Sequence, residues 1–149
     1  MKTVLFATLL TANLLGGCTV HRPVAYVRSV ALTDQTAEGG RVVVTVELDN
    51  QGETPLPLTE ASYTVAVDGY GSFRFTEVQA ATMAANATQR VSLAAAFATD
   101  AAGLAGRSYH AFGRLFYEPP GEIRRILTDA GIPLPSVGFA ASGRLEPME

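Results

Sequence analysis

The chain has 149 residues, a formal net charge of −3, one cysteine, two histidines and no tryptophan. Lys2 is the only lysine and the arginines are scattered, so no basic cluster indicates nucleic-acid binding or an electrostatic membrane patch. Hydrophobic residues make up 48% of the chain, which favours one folded domain of ordinary size over a disordered chain.

The first residues have the pattern of a secretory leader. Lys2 supplies one positive charge, and residues 4–15 form a short apolar run that is interrupted by Thr8, Thr11 and Asn13. A transmembrane helix needs roughly 20 apolar residues, which is more than this run offers. The run is therefore predicted to be the apolar part of a signal peptide.

The leader ends in a short motif around the only cysteine. Leu15, Gly16 and Gly17 stand directly before Cys18. This arrangement resembles the bacterial lipobox, in which a signal peptidase closes around small residues and the cysteine thiol carries diacylglycerol. We expect a lipoprotein signal peptide over residues 1–17 and a lipid on Cys18. The alternative is an ordinary signal peptide that leaves a free thiol, which would be a liability in an oxidising compartment.

Residues 18–23 follow as a short lipidated tether, which would hold the domain close to a membrane surface. Thr19 stands directly after the cysteine, where lipoproteins retained at the inner membrane commonly carry Asp. We therefore expect anchoring in the bacterial outer membrane, facing the periplasm. The inner membrane and the cell surface are the alternatives.

Short segments in which apolar and polar residues alternate fill most of the remaining chain, and this period of two is typical of half-buried strands. The clearest segment is residues 41–49, where Val44, Val46 and Leu48 share one side. Residues 88–97 are rich in alanine and could form a helix on propensity alone, but their alternation favours a strand. Seven strands are predicted, over residues 24–32, 41–49, 62–68, 72–78, 88–97, 108–118 and 136–145, with loops that include residues 79–87 and 99–107.

One short helix is predicted over residues 122–130. Ile123, Ile126 and Leu127 have helical spacing there, and Gly131 follows as a C-terminal stop. With the seven strands, this pattern predicts an all-β fold, an antiparallel β-sandwich of about seven strands with one short helix.

The predicted strand over residues 108–118 carries apolar residues on both sides and is therefore expected to be central. Gly113 marks either a bulge or a tight approach of two backbones. Phe112 and Phe116 point away from the side that holds Leu115. They could offer an exposed apolar patch to a protein partner, and the alternative is that the helix covers them.

No group of residues suggests a catalytic or metal site. His21 lies in the tether and His110 is isolated on a strand, so no metal and no cofactor is expected. Cys18 would be occupied by lipid, which leaves no nucleophile beside a base. Glu47 and Asp49 share the outward face of one strand and are expected to be solvated rather than a catalytic pair. An envelope enzyme is therefore the weakest of the functional alternatives.

Residues 42–67 resemble the core signature of the group 2 late-embryogenesis-abundant (LEA) proteins, also called the LEA14-like or WHy (water stress and hypersensitive response) domain. That signature is an apolar strand, an Asn-Pro-Asn-like turn, and a Pro-Leu element leading into a strand that ends near Gly. Gln51 and Gly52 depart from the family's Pro-Asn, although Gly52 still permits a turn. Residues 113–117 and 142–145 resemble the family's later strands. The residues that match the signature itself are Asn50, Pro55, Leu56, Pro57, Leu58 and Gly69.

The resemblance implies an antiparallel sandwich of the fibronectin-III or immunoglobulin type over residues 24–146. It also implies a non-enzymatic role linked with desiccation and other stress, since the family has no established catalytic residues. The expected function is a lipid-anchored, stress-protective or interaction module of the bacterial envelope. The alternative is an accessory lipoprotein that docks onto an envelope protein assembly through a sandwich edge or through Phe112 and Phe116.

Overall fold

Nine β-strands and one helix form the described part of the chain, which is residues 21–98 and 103–147 of a computed structural model. The strands are β1 (Val24–Thr36), β2 (Gly39–Asn50), β3 (Leu56–Val67), β4 (Gly71–Val78), β5 (Thr82–Met83), β6 (Ala87–Phe97), β7 (Ser108–Tyr117), β8 (Ser136–Arg144) and β9 (Glu146–Pro147), and the helix is α1 (Glu122–Asp129). The expected leader, lipobox and Cys18 lie outside the described residues.

The strands form two sheets that pack face to face. The first sheet has the order β6-β2-β1-β9, and the second has the order β4-β3-β7-β8, with β5 also paired to β3. Neighbouring strands are antiparallel except for the short parallel contact between β1 and β9. The predicted antiparallel β-sandwich with one short helix is therefore confirmed, and β7 is an interior strand, as its two-sided apolar pattern predicted.

Two short strands lie where none was predicted. The prediction of a loop over residues 79–87 is wrong in part, because β5 lies within this range. Met83 of β5 is fully buried and pairs with Leu56 of β3. The second, β9, pairs with β1, so the chain crosses from the second sheet to the first at the buried Leu145. The other seven strands overlap the predicted segments, but β1 extends to Thr36 and β3 begins at Leu56, six residues before its predicted start.

Strands β1 and β3 contain β-bulges that reverse which residues face the core. In β1 the extra residues are Arg28 and Thr33, because Val27 and Ser29, and likewise Leu32 and Asp34, pair with adjacent residues of β2. In β3 the extra residue is Thr59, whose hydroxyl donates to the carbonyl oxygen of Phe116 at 3.3 Å. A bulge adds a residue to one strand only, so the alternation in the sequence changes phase at each of these points.

The inner faces of the two sheets form one continuous core. Tyr63 spans it: its ring stacks on Phe75 with centroids 5.4 Å apart, and its hydroxyl donates to the carbonyl oxygen of Ala94 in the opposite sheet at 2.6 Å. Burial, assisted by the Glu77 carboxylate, raises the pKa of Tyr63 to about 12, so the hydroxyl keeps its proton at neutral pH. The large, fully buried side chains of the described core include Phe97, Leu48, Met83, Leu93, Leu104, Leu115 and Leu145.

Gly113 of β7 stands directly opposite Tyr63 of β3 at a close approach of the two backbones. A Cβ at Gly113 would lie 2.5 Å from the Cβ of Tyr63 and 2.7 Å from the carbonyl oxygen of Ser62. The pairing of β3 with β7 shows no register shift here, so of the two predicted alternatives the tight approach is confirmed. Glycine is the residue that fits this position.

Three connections meet at one end of the sandwich, which we call the tether end because the chain joins the domain there. They are residues 51–55, 79–86 and 118–135, and the last contains α1. Val24 begins β1 at this end, paired with Asp49 near the end of β2. Helix α1 therefore lies at the same end of the sandwich as the point where the expected tether joins the domain.

Helix α1 ends at Asp129, one residue earlier than expected. Gly131 follows it as the predicted C-terminal stop. Gly131 has a φ of 63°, and its amide donates to the carbonyl oxygen of Thr128 at 3.1 Å. The amide of Ile132 donates to the carbonyl oxygen of Leu127 at 2.8 Å. These two bonds form a Schellman motif, which satisfies the last carbonyl groups of the helix.

No helical segment in the described residues reaches the length and hydrophobicity that crossing a bilayer requires.

The close approach at Gly113 predicts that Gly113→Ala destabilises the domain. The added methyl group would overlap the backbone of β3, so we expect the free energy of unfolding to fall by about 1–3 kcal/mol. Gly138→Ala on the adjacent strand is the matched control, because its nearest contact would be the carbonyl oxygen of Gly113 at 3.8 Å. That variant should stay within about 0.5 kcal/mol of wild type. Equal effects of the two substitutions in urea unfolding would contradict the tight-approach interpretation.

Candidate functional site

The residues that match the family signature extend from the end of β2 to the turn after β3, and the loop between these two strands is organised around the side chain of Asn50. This side chain is 0% exposed. Its amide nitrogen donates to the carbonyl oxygens of Thr54 and Ala84, both at 3.0 Å, and its Oδ1 accepts from the amide of Gly52 at 3.1 Å. The amide of Asn86 also donates to the carbonyl oxygen of Gly52 at 2.9 Å. One buried side chain thus joins two connections at the tether end.

The proline–leucine element continues from this loop into β3. Leu56 and Leu58 are buried in the core, whereas Pro55 and Pro57 are exposed on the other side of the chain. Gly69 has a φ of 83° in the turn that follows β3, a conformation that favours glycine. The matched residues therefore lie in structural positions: a buried amide, two core side chains, two prolines that keep the backbone extended, and a turn glycine.

The hydrogen bonds of Asn50 predict a large effect for Asn50→Ala. The substitution removes part-buried hydrogen bonds to the carbonyl groups of Thr54 and Ala84 and to the amide of Gly52, and a polar group left unpaired inside the fold costs about 1–3 kcal/mol. We expect the free energy of unfolding to fall by about 2–4 kcal/mol. Gln51→Ala, next to it but exposed, is the control and should change stability by less than about 0.5 kcal/mol. Thermal unfolding followed by circular dichroism measures both, and an Asn50→Ala variant as stable as Gln51→Ala would refute the structural role.

On the outer face of the first sheet, Glu47 is held by arginines from both neighbouring strands. Arg28 of β1 forms an ion pair with its Oε1, and the Nε of Arg90 in β6 lies 3.1 Å from its Oε2. Glu47 is only 8% exposed, so the expectation of a solvated carboxylate is wrong. Asp49 instead accepts a hydrogen bond from the side chain of Gln51 at 2.9 Å. The two carboxylates do not work as a pair.

The ion pairs shift the protonation equilibria of this cluster. The hydrogen bond from Arg28 is the main cause of a lowered pKa for Glu47, with Arg90 adding to it and burial opposing it. The same contact raises the pKa of Arg28. The bulge at Arg28 puts an additional side chain on the outer face, where it reaches the carboxylate.

The lowered pKa of Glu47 predicts a pH-dependent contribution to stability. A carboxyl group with a lowered pKa in the folded state stabilises the fold above its unfolded pKa of about 4.3, and this contribution is lost as the pH falls through the folded value. Glu47→Gln should therefore lose stability at neutral pH and show a smaller further loss on acidification than wild type. Glu53→Gln, exposed in the loop after β2, is the control and should retain the wild-type profile. Parallel acid profiles for wild type and Glu47→Gln would contradict this account.

The outer face of the second sheet contains the aromatic residues that were expected to bind a partner. Phe112 is 42% exposed and Phe116 is half-buried, so α1 leaves Phe112 uncovered. The His110 ring lies 5.2 Å from that of Phe112, and its Nδ1 is 2.6 Å from the Oγ of Ser142. His110 is therefore a neighbour of Phe112 on this outer face.

Next to Phe112 the outer face forms a shallow concavity of about 600 Å³. Its lining includes Thr64 and Ala140, together with Arg74 of β4 and Arg114 of β7. Neither arginine forms an ion pair with another residue in the described ranges. The concavity therefore offers one exposed ring and two available positive charges, a combination suited to a protein surface with acidic and apolar groups.

Among residues 21–98 and 103–147, no three His, Cys, Asp or Glu side chains lie close enough together to hold a metal ion. His21 and His110 are far apart: His21 lies at the tether end beside Gly52, and His110 lies on β7 near the opposite end. The lipobox residues and Cys18 fall outside the described residues, so lipid attachment stays a prediction.

The sequence matches no family model and no curated protein, but the fold is similar to solved structures. One is the solution structure of a candidate late embryogenesis abundant (LEA) protein, At2g46140.1, with a TM-score of 0.63 and 13% identity over 87% of this chain and 74% of that one. A second is AT1g01470 from Arabidopsis thaliana, with a TM-score of 0.51 and 14% identity over 84% and 83% of the two chains. A third is a protein from Archaeoglobus fulgidus, with a TM-score of 0.50 and 10% identity over 86% and 98%. At these identities the likeness concerns the fold, and this chain has a LEA-like β-sandwich.

Proposed function

We propose that this protein is a non-enzymatic, lipid-anchored envelope protein of the LEA14/WHy type, and that it acts as a stress-protective or interaction module. The observation that carries the proposal is the LEA-like fold, which covers 87% of the chain in the comparison with the candidate LEA protein. The signature residues around Asn50 and the leader that ends at Cys18 support it.

A non-enzymatic role is supported by what the polar groups in the described core do. Asn50 has its amide groups engaged in holding two connections, Glu47 is bound by two arginines, and the hydroxyl of Tyr63 is bonded to a backbone carbonyl. Each of these groups has a structural partner. A general acid, base or nucleophile would instead need a position from which it reaches a substrate.

A protective role requires surfaces that contact membranes or other proteins during water loss. The domain offers two such surfaces: the face around Phe112 and the uncovered helix α1. Both carry exposed apolar side chains on a mildly acidic protein, which suits contact with client proteins or membranes rather than with nucleic acid.

The second candidate function is an accessory lipoprotein that docks onto an envelope protein assembly. It is favoured by the exposed ring of Phe112 beside the concavity that Arg74 and Arg114 border. A photo-crosslinking residue placed at Phe112 in living cells separates the two candidates. One stoichiometric protein partner supports the accessory role, and many weak adducts or none support the protective role.

The lipid anchor predicts the behaviour of Cys18→Ala. This variant should lose palmitate labelling and move from the membrane fraction to the soluble periplasm, because the thiol is the expected attachment point. Thr19→Asp is the matched control: it should keep the label and shift the protein to the inner membrane. Unchanged labelling and fractionation of Cys18→Ala would refute the anchor.

The stress role is tested with the same variant in a strain that lacks the gene. Survival after drying, salt or detergent challenge should fall on deletion and should be restored by the wild-type gene but not by Cys18→Ala. Survival equal to that of the parent strain in all three challenges would contradict the protective role while leaving the anchor intact.

A further inference from the structure

Exposed large hydrophobic side chains are concentrated at the tether end of the sandwich. Ile123 and Ile126 of α1 are 41% and 57% exposed, and Ile132 just beyond the helix is 52% exposed. Val24, 37% exposed, begins β1 at this end, and Val78, 86% exposed, ends β4 beside it. The turns of the described residues at the opposite end expose no side chain of this kind. The domain therefore has one apolar end.

The largest part of this apolar end is one face of α1. Ile123, Ile126 and Leu127 are spaced so that they lie on the same side of the helix. Leu127 is half-buried, and the two isoleucines project from the domain. Arg124 and Arg125 lie on the other side, each paired with a glutamate. A helix with an uncovered apolar face and a polar face of paired charges is typical of a contact with an apolar surface.

The chain also limits how far this end can be from a lipid attached at Cys18. Three residues lead from Cys18 to His21, and an extended chain of that length spans at most about 11 Å. A Cβ added at Gly52 would lie 3.9 Å from the Cβ of His21, Pro23 is buried, and β1 begins at the next residue. The tether thus leaves the domain beside the same connections that carry α1.

We propose that α1 lies on the lipid surface in which Cys18 is anchored, with Ile123, Ile126 and Ile132 inserted at the boundary between headgroups and acyl chains. This inference rests on the proposed lipid anchor. Because the arginines of α1 are already paired with acidic side chains, the contact is apolar rather than electrostatic. The domain then stands with its long axis away from the membrane and with the concavity near Phe112 accessible from the side.

A single tryptophan tests the proposal, since the chain contains none. The full lipidated protein is placed in phosphatidylethanolamine-containing vesicles whose acyl chains carry bromine as a quencher. Fluorescence of the Ile126→Trp variant should be quenched as expected for a depth of about 5–10 Å into the boundary region. Thr128→Trp, which is also exposed and lies about 160° around the helix axis from Ile126, is the matched control and should be quenched several-fold less.

Two further measurements exclude trivial explanations. Adding Ile123→Ser and Ile132→Ser to the Ile126→Trp variant should reduce the quenching, which shows that the introduced ring is not itself the cause of insertion. No residue of α1 is buried, so these changes should leave the thermal midpoint near that of wild type. Quenching should also persist at high salt, because screening weakens charge contacts and not apolar ones.

The remaining outcomes overturn the proposal in distinguishable ways. If the tryptophan at position 126 stays accessible to water and is not quenched by bromine, the helix does not contact lipid. A probe that is shielded from water but not reached by the brominated chains shows that protein covers the helix, either a second copy or an envelope partner. Both results are compatible with palmitate labelling at Cys18. If the proposed lipid anchor itself is wrong, the wild-type chain carries no palmitate label.

Discussion

The buried amide of Asn50 is the interaction on which the tether end depends. At this end the chain passes from the first sheet to the second after β2 and returns to the first sheet before β6. Asn50 binds the carbonyl oxygens of Thr54 and Ala84 in these two crossings, and its Oδ1 holds the backbone of Gly52. An amide buried without such partners would cost several kcal/mol, so the side chain is stable there only when both crossings are in place.

Much of the fold could be predicted from local pattern, because a half-buried strand carries its own period of two. The core side chains of β2, such as Val44 and Val46, follow directly from that period. The helix follows from its own apolar spacing, and its end follows from Gly131. The bulges at Arg28 and Thr59 could not be found in this way, since an extra residue is defined only by its pairing with a partner strand. The pairing of β5 depended in the same way on a distant strand.

Of the candidate surfaces, the exposed position of Phe112 was predicted, whereas the concavity, the surroundings of Glu47 and the uncovered face of α1 were not. The position of Phe112 on an outward face follows from alternation along β7, but the concavity beside it is lined by residues of five strands, whose spatial order the sequence does not show. The environment of Glu47 was missed because its two arginines come from strands on either side of β2, far away in sequence. The uncovered face of α1 was also missed, since helical spacing shows that a face is apolar and not what it contacts. Features that depend on one segment could be predicted from the sequence, whereas contacts between two segments could not.

The cluster around Glu47 has a consequence for how this chain tolerates change. Arg28 and Arg90 share one carboxylate, so loss of either arginine leaves the other still in place. Loss of both leaves the carboxylate with neither of these partners and, because the two side chains lie over it, more open to water. The effects of the two losses are therefore expected to be non-additive, with the second costing more than the first. Positions 28 and 90 are thus expected to tolerate substitution one at a time better than together.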